Sequence, residues 1–153
     1  MDFHQELIAE FDREVSLTRK LLVAIPATAD FAFKPQPKSM SLGRLAGHLI
    51  ESTGEWATGT LTQDKVEFPP DHKFEGYIPA NTEAALAAFD PARWESNWQF
   101  GAMGQVWIND TKYRVFRTWV LNHIAHHRGQ LSVYLRLLGA TVPGVYGPSG
   151  DEM

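Results

Sequence analysis

The sequence predicts an all-α protein, a four-helix bundle that forms one domain over residues 1–153. Four stretches repeat apolar residues at spacings of three and four, which places those residues on one face of a helix. Signals that end a helix follow the first and the last of these stretches, at Pro26 and Gly139. Amphipathic helices bury their apolar faces against one another, so four of them with a long intervening loop favour a bundle.

The first two helices are predicted in the amino-terminal third of the chain. The first covers Asp2–Ile25, where charged residues occupy the face opposite the apolar one. The second begins after Ser41, a residue type that caps helix starts, and continues through residues 42–61. Gly43 and Gly47 lie four apart in this helix. Their bare surface would let another helix approach closely, either within the chain or between two chains.

The middle of the chain is predicted to be less regular. Residues 62–79 form a loop whose length, unusual in a compact domain, is typical of a functional lid or rim. A third helix covers residues 81–89, and Pro91 either kinks it or opens a new turn capped by Asp90. Further on, the sequence is irregular, with a short extended segment through Gln105–Ile108.

The fourth helix gives the clearest pattern, from Thr111 to Leu138, with Gly139 as the residue that ends it. Two of the histidines replace apolar residues in the middle of its inner face. The residues predicted on that face are Val115, Phe116, Trp119, Val120, His123, Ile124, His127, Leu131, Tyr134, Leu135 and Leu138.

Composition excludes several classes of protein and of site. A net charge of −4 and the lack of a long basic run give no general attraction to nucleic acid or to an anionic membrane. No apolar stretch is long enough to span a bilayer, and the amino terminus does not have the order of a signal peptide, so the expected location is the cytoplasm. There is no cysteine, which excludes disulfides, thiolate metal ligands and a cysteine nucleophile.

The stretch "NHIAHHRGQL" carries half of the six histidines of the chain. His123 and His127 are four residues apart, so on a helix their rings lie on one face about 6 Å apart. One helix seldom supplies enough ligands alone, and His48, which interrupts the apolar face of the second helix, is the candidate third ligand. The alternatives are a hydrogen-bonded core histidine at position 48 and a surface pair on the fourth helix. Burying three imidazoles without partners costs about 1–3 kcal/mol each, which favours a shared ion.

Four residues near these histidines are candidates for a supporting role or a pocket. His126 is rotated by about 100° from His127 around the helix axis. It is therefore predicted at the flank of the helix or at an interface, or in contact with a residue that binds the metal. Glu51 and Glu55 follow His48 by three and seven residues, so either is a candidate fourth ligand or general base, the alternative being an exposed glutamate. Trp56 is a candidate lining residue of a pocket.

The residues that follow the histidines receive separate interpretations. Arg128 is predicted to form a structural ion pair or a cap in preference to binding an anion. Gly129, in the middle of a helix, predicts a tightly packed helix crossing. Gln130 is predicted to hydrogen-bond to a loop or to a partner chain. Histidine and carboxylate ligands suit zinc or nickel first, with iron or manganese as alternatives.

Three segments, "LAGHLIE", "NHIAHHRGQLSVYLRLLG" and "VPGVYGPSGD", resemble the DinB-like (DinB/YfiT) family of small bacterial proteins regarded as metalloenzymes. The resemblance covers nearly the whole chain. It implies a four-helix bundle of the DinB/YfiT-like type and a divalent metal held by His48, His123 and His127. Relatives in that family include bacillithiol and mycothiol S-transferases and a mycothiol-dependent maleylpyruvate isomerase domain, and the fold is often a homodimer.

The function expected from these observations is that of a metal-dependent enzyme. It would activate a low-molecular-weight thiol and transfer it to a small-molecule electrophile, with the sulfur supplied by the thiol because the chain has none in cysteine. The same site could instead activate water, which would make the protein a metal-dependent hydrolase. A non-catalytic, metal-stabilised binding module is the alternative from another class. A purely structural bundle with a degenerate site is the third.

Overall fold

The computed structural model describes residues 2–69 and 81–153, and it corrects the predicted fold class. The protein is not all-α: it combines helices with a three-stranded mixed sheet. Most of the strand residues lie in sequence predicted to be loop or irregular, and the extended segment predicted through Gln105–Ile108 forms part of one strand. One edge strand pairs with a segment more than thirty positions along the chain, so local periodicity does not reveal it.

The chain divides into two compact units, one of Met1–Leu49 with Ile124–Met153 and the other of Ile50–His123. In the described parts of both, no helix is at once long enough and apolar enough to cross a membrane.

The first unit contains the predicted first helix, the amino-terminal part of the predicted second helix and the carboxyl-terminal part of the predicted fourth helix. Helix α1 covers Phe3–Val23 and is capped by the Asp2 carboxylate, which accepts from the backbone N–H groups of His4 and Gln5. Helix α2 covers Leu42–Glu51. The last helix of the chain, α6, is numbered in chain order and covers His123–Leu137. The buried apolar residues of the unit include Leu7, Phe11, Leu21, Leu42, Leu45, Leu49, Ile124, Leu131 and Leu135.

The helix predicted over residues 42–61 is helical but not uniformly α. After α2 comes a π-helical segment, Ser52–Trp56, and then α3, Ala57–Thr62. The hydroxyl of Thr82 lies 2.9 Å from the Thr53 carbonyl oxygen and ties the start of the next helix, α4 (Thr82–Ala87), to the π-helical segment.

The predicted fourth helix contains a second π-helical segment. Helix α5 covers Lys112–Val115, Phe116–Asn122 is π-helical, and α6 follows. A π-helix closes its hydrogen bonds over five residues and so rotates the chain less per residue than an α-helix does. Leu121 is therefore buried, whereas Trp119, predicted on the inner face, is 44% exposed. The prediction for Trp119 is wrong because it assumed the α-helical period throughout.

The end of this helix follows the prediction. Gly139, two residues past the last residue of α6, has a φ of 69°, in the left-handed region that favours glycine.

The sheet lies in the second unit, with the order β1 (Lys65–Phe68), β2 (Asn97–Ala102) and β3 (Gln105–Thr111). Strand β1 runs parallel to β2, and β2 runs antiparallel to β3 with an irregularity at Phe100 and Gly101. Met103 and Gly104 both have positive φ, as a tight two-residue hairpin turn requires. The predicted loop of residues 62–79 thus contains a strand, and its part from residue 70 onward lies outside the described residues.

Asp90 caps a short turn of 3₁₀-helix, Pro91–Glu95, by accepting from the Ala92 N–H at 3.0 Å. Of the two alternatives predicted for Pro91, the structure therefore confirms that it opens a new turn capped by Asp90.

Lys112 is a buried cation that the sequence analysis did not single out. Its ammonium group is completely buried, donates to the carbonyl oxygens of Thr60 (2.8 Å) and Gln63, and lies 3.1 Å from the Asp64 carboxylate. A cation at the carboxyl end of α3 complements the helix dipole. Burial lowers the pKa of Lys112, while the Asp64 carboxylate opposes that shift.

Gly43, Gly47 and Gly129 were each predicted to allow close packing, and among the described residues only Gly43 of these three has a close neighbour. A Cβ added at Gly43 would lie 3.3 Å from the Phe31 carbonyl oxygen, so the close neighbour is the preceding loop and not another helix. Within the described part of the chain, nothing lies within 4 Å of a Cβ added at Gly47 or Gly129. The tight crossing predicted at Gly129 is therefore wrong.

A buried ion pair joins α6 to α1 in the first unit, which confirms the structural interpretation of Arg128. The guanidinium of Arg128 donates to the Glu14 carboxylate at 2.5 Å and to the Glu14 backbone carbonyl at 2.9 Å. The Tyr146 hydroxyl donates to the same carboxylate at 2.7 Å. Burial raises the pKa of Glu14, but the hydrogen bonds from Tyr146 and Arg128 and the positive charge of Arg128 outweigh it, so the pKa lies below its ordinary value.

We predict that Glu14→Gln lowers the free energy of unfolding at neutral pH by about 3–5 kcal/mol, because it leaves the Arg128 charge buried without its counter-ion. Since the folded-state pKa of Glu14 is lowered, its contribution is present above the ordinary value of 4.5 and is lost as the pH falls through the folded-state pKa. Urea denaturation at pH about 7 and about 3 measures both effects.

Arg13→Gln is the matched control, because Arg13 contacts the same carboxylate at 3.5 Å from an exposed position and should contribute about 1 kcal/mol or less. An unfolding free energy that depends equally on pH in wild type and in Glu14→Gln would contradict this account.

Candidate metal site

Helices α2 and α6 bring together the three histidines that the sequence singled out. His48 lies on α2, and His123 and His127 lie one turn apart on α6. One ring nitrogen from each lies within 4.8 Å of the others, so the three form a group that could hold a metal ion. The rings of His48 and His127 are nearly perpendicular, with centroids 4.5 Å apart.

The donor set fits a divalent transition metal. Zinc–nitrogen bonds of about 2.0–2.1 Å place two nitrogens of a tetrahedral site about 3.4 Å apart, a separation that small side-chain rotations would reach from the present spacing. Among the described residues, no carboxylate belongs to the group. Three neutral imidazoles satisfy zinc, nickel or iron(II) and leave coordination positions for water or a substrate.

Burial differs among the three rings, which matters for both protonation and access. His127 is buried, whereas His48 and His123 are half-buried. Burial lowers the pKa of His127, and the charges of His48, His126 and Arg44 lower it further, while the hydrogen bond that His127 donates to Gln130 opposes the shift. The neutral imidazole, which is the form that coordinates a metal, is therefore favoured. The half-buried rings leave the group accessible from one side.

Gln130 holds the ring of His127 in the orientation that coordination requires. Its side-chain oxygen lies 2.7 Å from Nδ1 of His127, so that nitrogen carries the proton and Nε2 keeps its lone pair. The amide nitrogen of Gln130 lies 3.1 Å from Nε2 of His126. Both contacts lie within α6, so neither is the loop contact predicted for Gln130, and the predicted contact with a partner chain stays a prediction. The spacing of three residues between Gln130 and His127, on the same helix face, is the signal that could have revealed this role.

The other candidate residues take different places. His126 lies outside the three-histidine group, with its ring centroid 4.9 Å from that of His127. Glu51 is the last residue of α2 and is not part of the group. Glu55 and Trp56 lie in the π-helical segment and line a small cavity of about 60 Å³ within the second unit, with Gly59, Gln63, Val66, Phe68 and Trp98.

We predict that replacing any one of His48, His123 or His127 by alanine abolishes stoichiometric zinc binding, because two imidazoles are seldom enough to retain the ion. His126→Ala should leave zinc binding nearly intact, since His126 lies outside the group. Elemental analysis of the purified variants measures the outcome, and circular dichroism verifies that each variant is folded. Equal loss of zinc in all four variants would contradict this assignment of ligands.

Gln130→Leu should weaken zinc affinity by about 10–100-fold, the usual cost of losing a hydrogen-bond partner of a metal-bound histidine. Gln130→Glu keeps an oxygen facing Nδ1 and should retain most of the affinity. Competition with a chromophoric chelator measures both. Ser132→Ala is the matched control on the same helix, because the Ser132 hydroxyl bonds to the Gly129 carbonyl and not to a histidine. Affinities for Gln130→Leu equal to those of the control would show that Gln130 does not position His127.

Comparison with protein-family models identifies the family of this chain. The model of the DinB family matches residues 1–153. The chain is also 30% identical to the uncharacterized protein YrdA of Bacillus subtilis (strain 168), in a match that covers 95% of this chain and 89% of that protein. No solved structure matches the chain. With the three-histidine group in place and the family model spanning the whole sequence, the chain belongs to the DinB family.

Proposed function

We propose that this protein is a metal-dependent enzyme that activates a low-molecular-weight thiol and transfers it to a small electrophile. The observation that carries the proposal is the group formed by His48, His123 and His127, whose nitrogens lie within 4.8 Å of one another and whose outer rings are half-buried. A closed structural site would need a further protein ligand, and no described carboxylate supplies one.

The side chains of this site would hold and orient the ion, with zinc or nickel as the first candidates. His48, His123 and His127 supply neutral donors, so the full charge of a divalent ion would remain available to a bound ligand. The ion, when bound, would favour the thiolate over the thiol at neutral pH. Gln130 would keep the His127 ring fixed while ligands exchange on the half-buried side.

The proposed reaction balances without an oxidant or a second cofactor. The thiol gives its proton to water, and its sulfur forms a bond to an electrophilic carbon of the second substrate. The bond from that carbon to its leaving group breaks, and the leaving group departs with the electron pair. The chain has no cysteine, so the sulfur must come from a small molecule. The resemblance to thiol S-transferases of the same family supports this choice of reaction over hydrolysis.

We predict that the zinc- or nickel-loaded protein conjugates chlorodinitrobenzene with at least one of mercaptoethanol, mercaptopropionate and cysteine, with release of chloride. Chelation should abolish this turnover and leave the helical circular dichroism signal, with a melting temperature lower by only some degrees. The reason is that apolar burial, and not one ion, stabilises most of a domain of this size. The His127→Ala variant is the control for thiol reaction that does not depend on the site.

The outcomes separate the alternatives. Ester or amide hydrolysis without thiol-dependent turnover would replace this proposal by a metal-dependent hydrolase. Loss of cooperative melting on chelation would instead identify the ion as structural, because its binding free energy would then be folding free energy.

A further inference from the structure

A groove in the first unit adjoins the histidine group and takes no part in holding a metal. It has a volume of about 460 Å³ and is lined by Lys38, Ser39, Met40, Gln130, Val133 and Tyr134. This volume lies within the range of about 300–1,000 Å³ typical of small-molecule sites.

The walls of the groove are held in place by contacts between its two sides. The Tyr134 hydroxyl, from α6, donates to the Met40 carbonyl oxygen at 2.8 Å. The ring of Tyr134 also packs edge-to-face on Phe33, with centroids 6.0 Å apart. The loop before α2 and the face of α6 are thus joined, and the groove is a formed feature of the unit. Met40, Val133 and the Tyr134 ring give it an apolar floor, and Ser39 and Gln130 give it polar groups.

Gln130 connects the groove to the histidines. Its side chain lines the groove and at the same time contacts Nδ1 of His127 at 2.7 Å. On α6, the spacing of residues 127, 130 and 134 places all three on one face of the helix. A ligand in the groove therefore lies along the helix face that carries the proposed metal ligand.

The charge of this region is positive although the chain as a whole carries −4. Of the six described residues that line the groove, Lys38 alone is charged. Arg44, which is close enough to act on His127, is also a cation, and no carboxylate in the described part of the chain is among the groups that act on His127. A bound divalent ion would add further positive charge. The groove and the site therefore attract an anion and repel a cation.

We propose that this groove binds the anionic end of a substrate, with a carboxylate or phosphate at Lys38 and a short apolar portion against Met40, Val133 and Tyr134. The proposal rests on the proposed function, because it makes the groove part of the substrate site of that enzyme. The Lys38 ammonium group acts as a point charge, so it binds a carboxylate or a phosphate by the same electrostatic attraction. The substrate is then a small organic anion, not a neutral or cationic molecule.

Binding of matched probes to the metal-loaded protein tests the groove without measuring turnover. The probes are phenylpropionate, phenylpropyl phosphate and the neutral phenylpropanol, titrated by calorimetry into wild type, Lys38→Gln and Lys34→Gln. Lys34 is an exposed lysine of the same loop that does not line the groove, so its substitution is the matched control. We expect Lys38→Gln to weaken binding of one or both anions by about fivefold and to leave the alcohol unaffected. Lys34→Gln should match wild type for all three probes.

A second variant tests the location independently of charge. Val133 is 55% exposed, so Val133→Trp should fold normally while filling the groove, and it should abolish binding of the anions. Equal affinity of wild type for the anions and the alcohol, or equal losses in the Lys38 and Lys34 variants, would overturn the proposal. Whichever of phenylpropionate and phenylpropyl phosphate binds more tightly shows whether the groove prefers a carboxylate or a phosphate.

A kinetic comparison separates this inference from the proposed function. With chlorodinitrobenzene as the electrophile, the ratio of kcat/KM for mercaptopropionate to that for mercaptoethanol should fall in Lys38→Gln and stay constant in Lys34→Gln. If none of the thiols supports turnover, the thiol-transfer proposal is wrong. The binding titrations would still decide whether the groove binds anions. Turnover with a ratio unchanged in Lys38→Gln would overturn the groove proposal and leave thiol transfer intact.

Discussion

The buried ion pair between Arg128 and Glu14 fixes the rotation of α6 about its axis, and the candidate metal site depends on that rotation. Arg128 and His127 are neighbours in the chain, so their side chains leave the helix about 100° apart. With Arg128 bound to Glu14 of α1, His127 faces α2, where its ring meets that of His48 with centroids 4.5 Å apart. Rotating α6 to move one of these side chains would break the contacts of the other. Breaking a buried ion pair with several hydrogen bonds is costly, so this pair holds α6 in one rotation about its axis.

The site also depends on which charge state burial favours for each polar side chain. Arg128 remains paired with a carboxylate, whereas His127 is surrounded by other cationic or neutral groups and is favoured in its neutral form. Gln130 accepts the hydrogen bond from the buried Nδ1 of His127, so Nε2 is the nitrogen that could coordinate an ion. Its other contact, with His126, and its place in the groove wall mean that Gln130 borders both the candidate metal site and the groove.

The errors of the sequence analysis have specific physical causes. Strand β1 has four residues and pairs in parallel with β2, more than thirty positions along the chain, so neither strand can be inferred from its own pattern. The π-helical segment Phe116–Asn122 changes the residues per turn just before His123, and this exposes Trp119. Lys112 can be buried because carbonyl oxygens at the end of α3 accept hydrogen bonds from its ammonium group and the Asp64 carboxylate pairs with its charge. Those partners come from distant sequence, and a lysine viewed alone is predicted at the surface.

The sequence by itself determined the long helices and the spacing of the histidines. Apolar periodicity and the end signals at Pro26 and Gly139 are local properties, and the spacing of four positions from His123 to His127 places both on one helix face. The apolar pattern of the second helix made His48 the candidate third ligand, and the resemblance added the family. Only the tertiary structure decided that a sheet forms, that Gln130 turns to His127, and that the loop around Lys38 closes a groove on α6. Those features depend on contacts between segments distant in the chain or on side-chain rotamers, and neither is encoded in a residue's immediate neighbours.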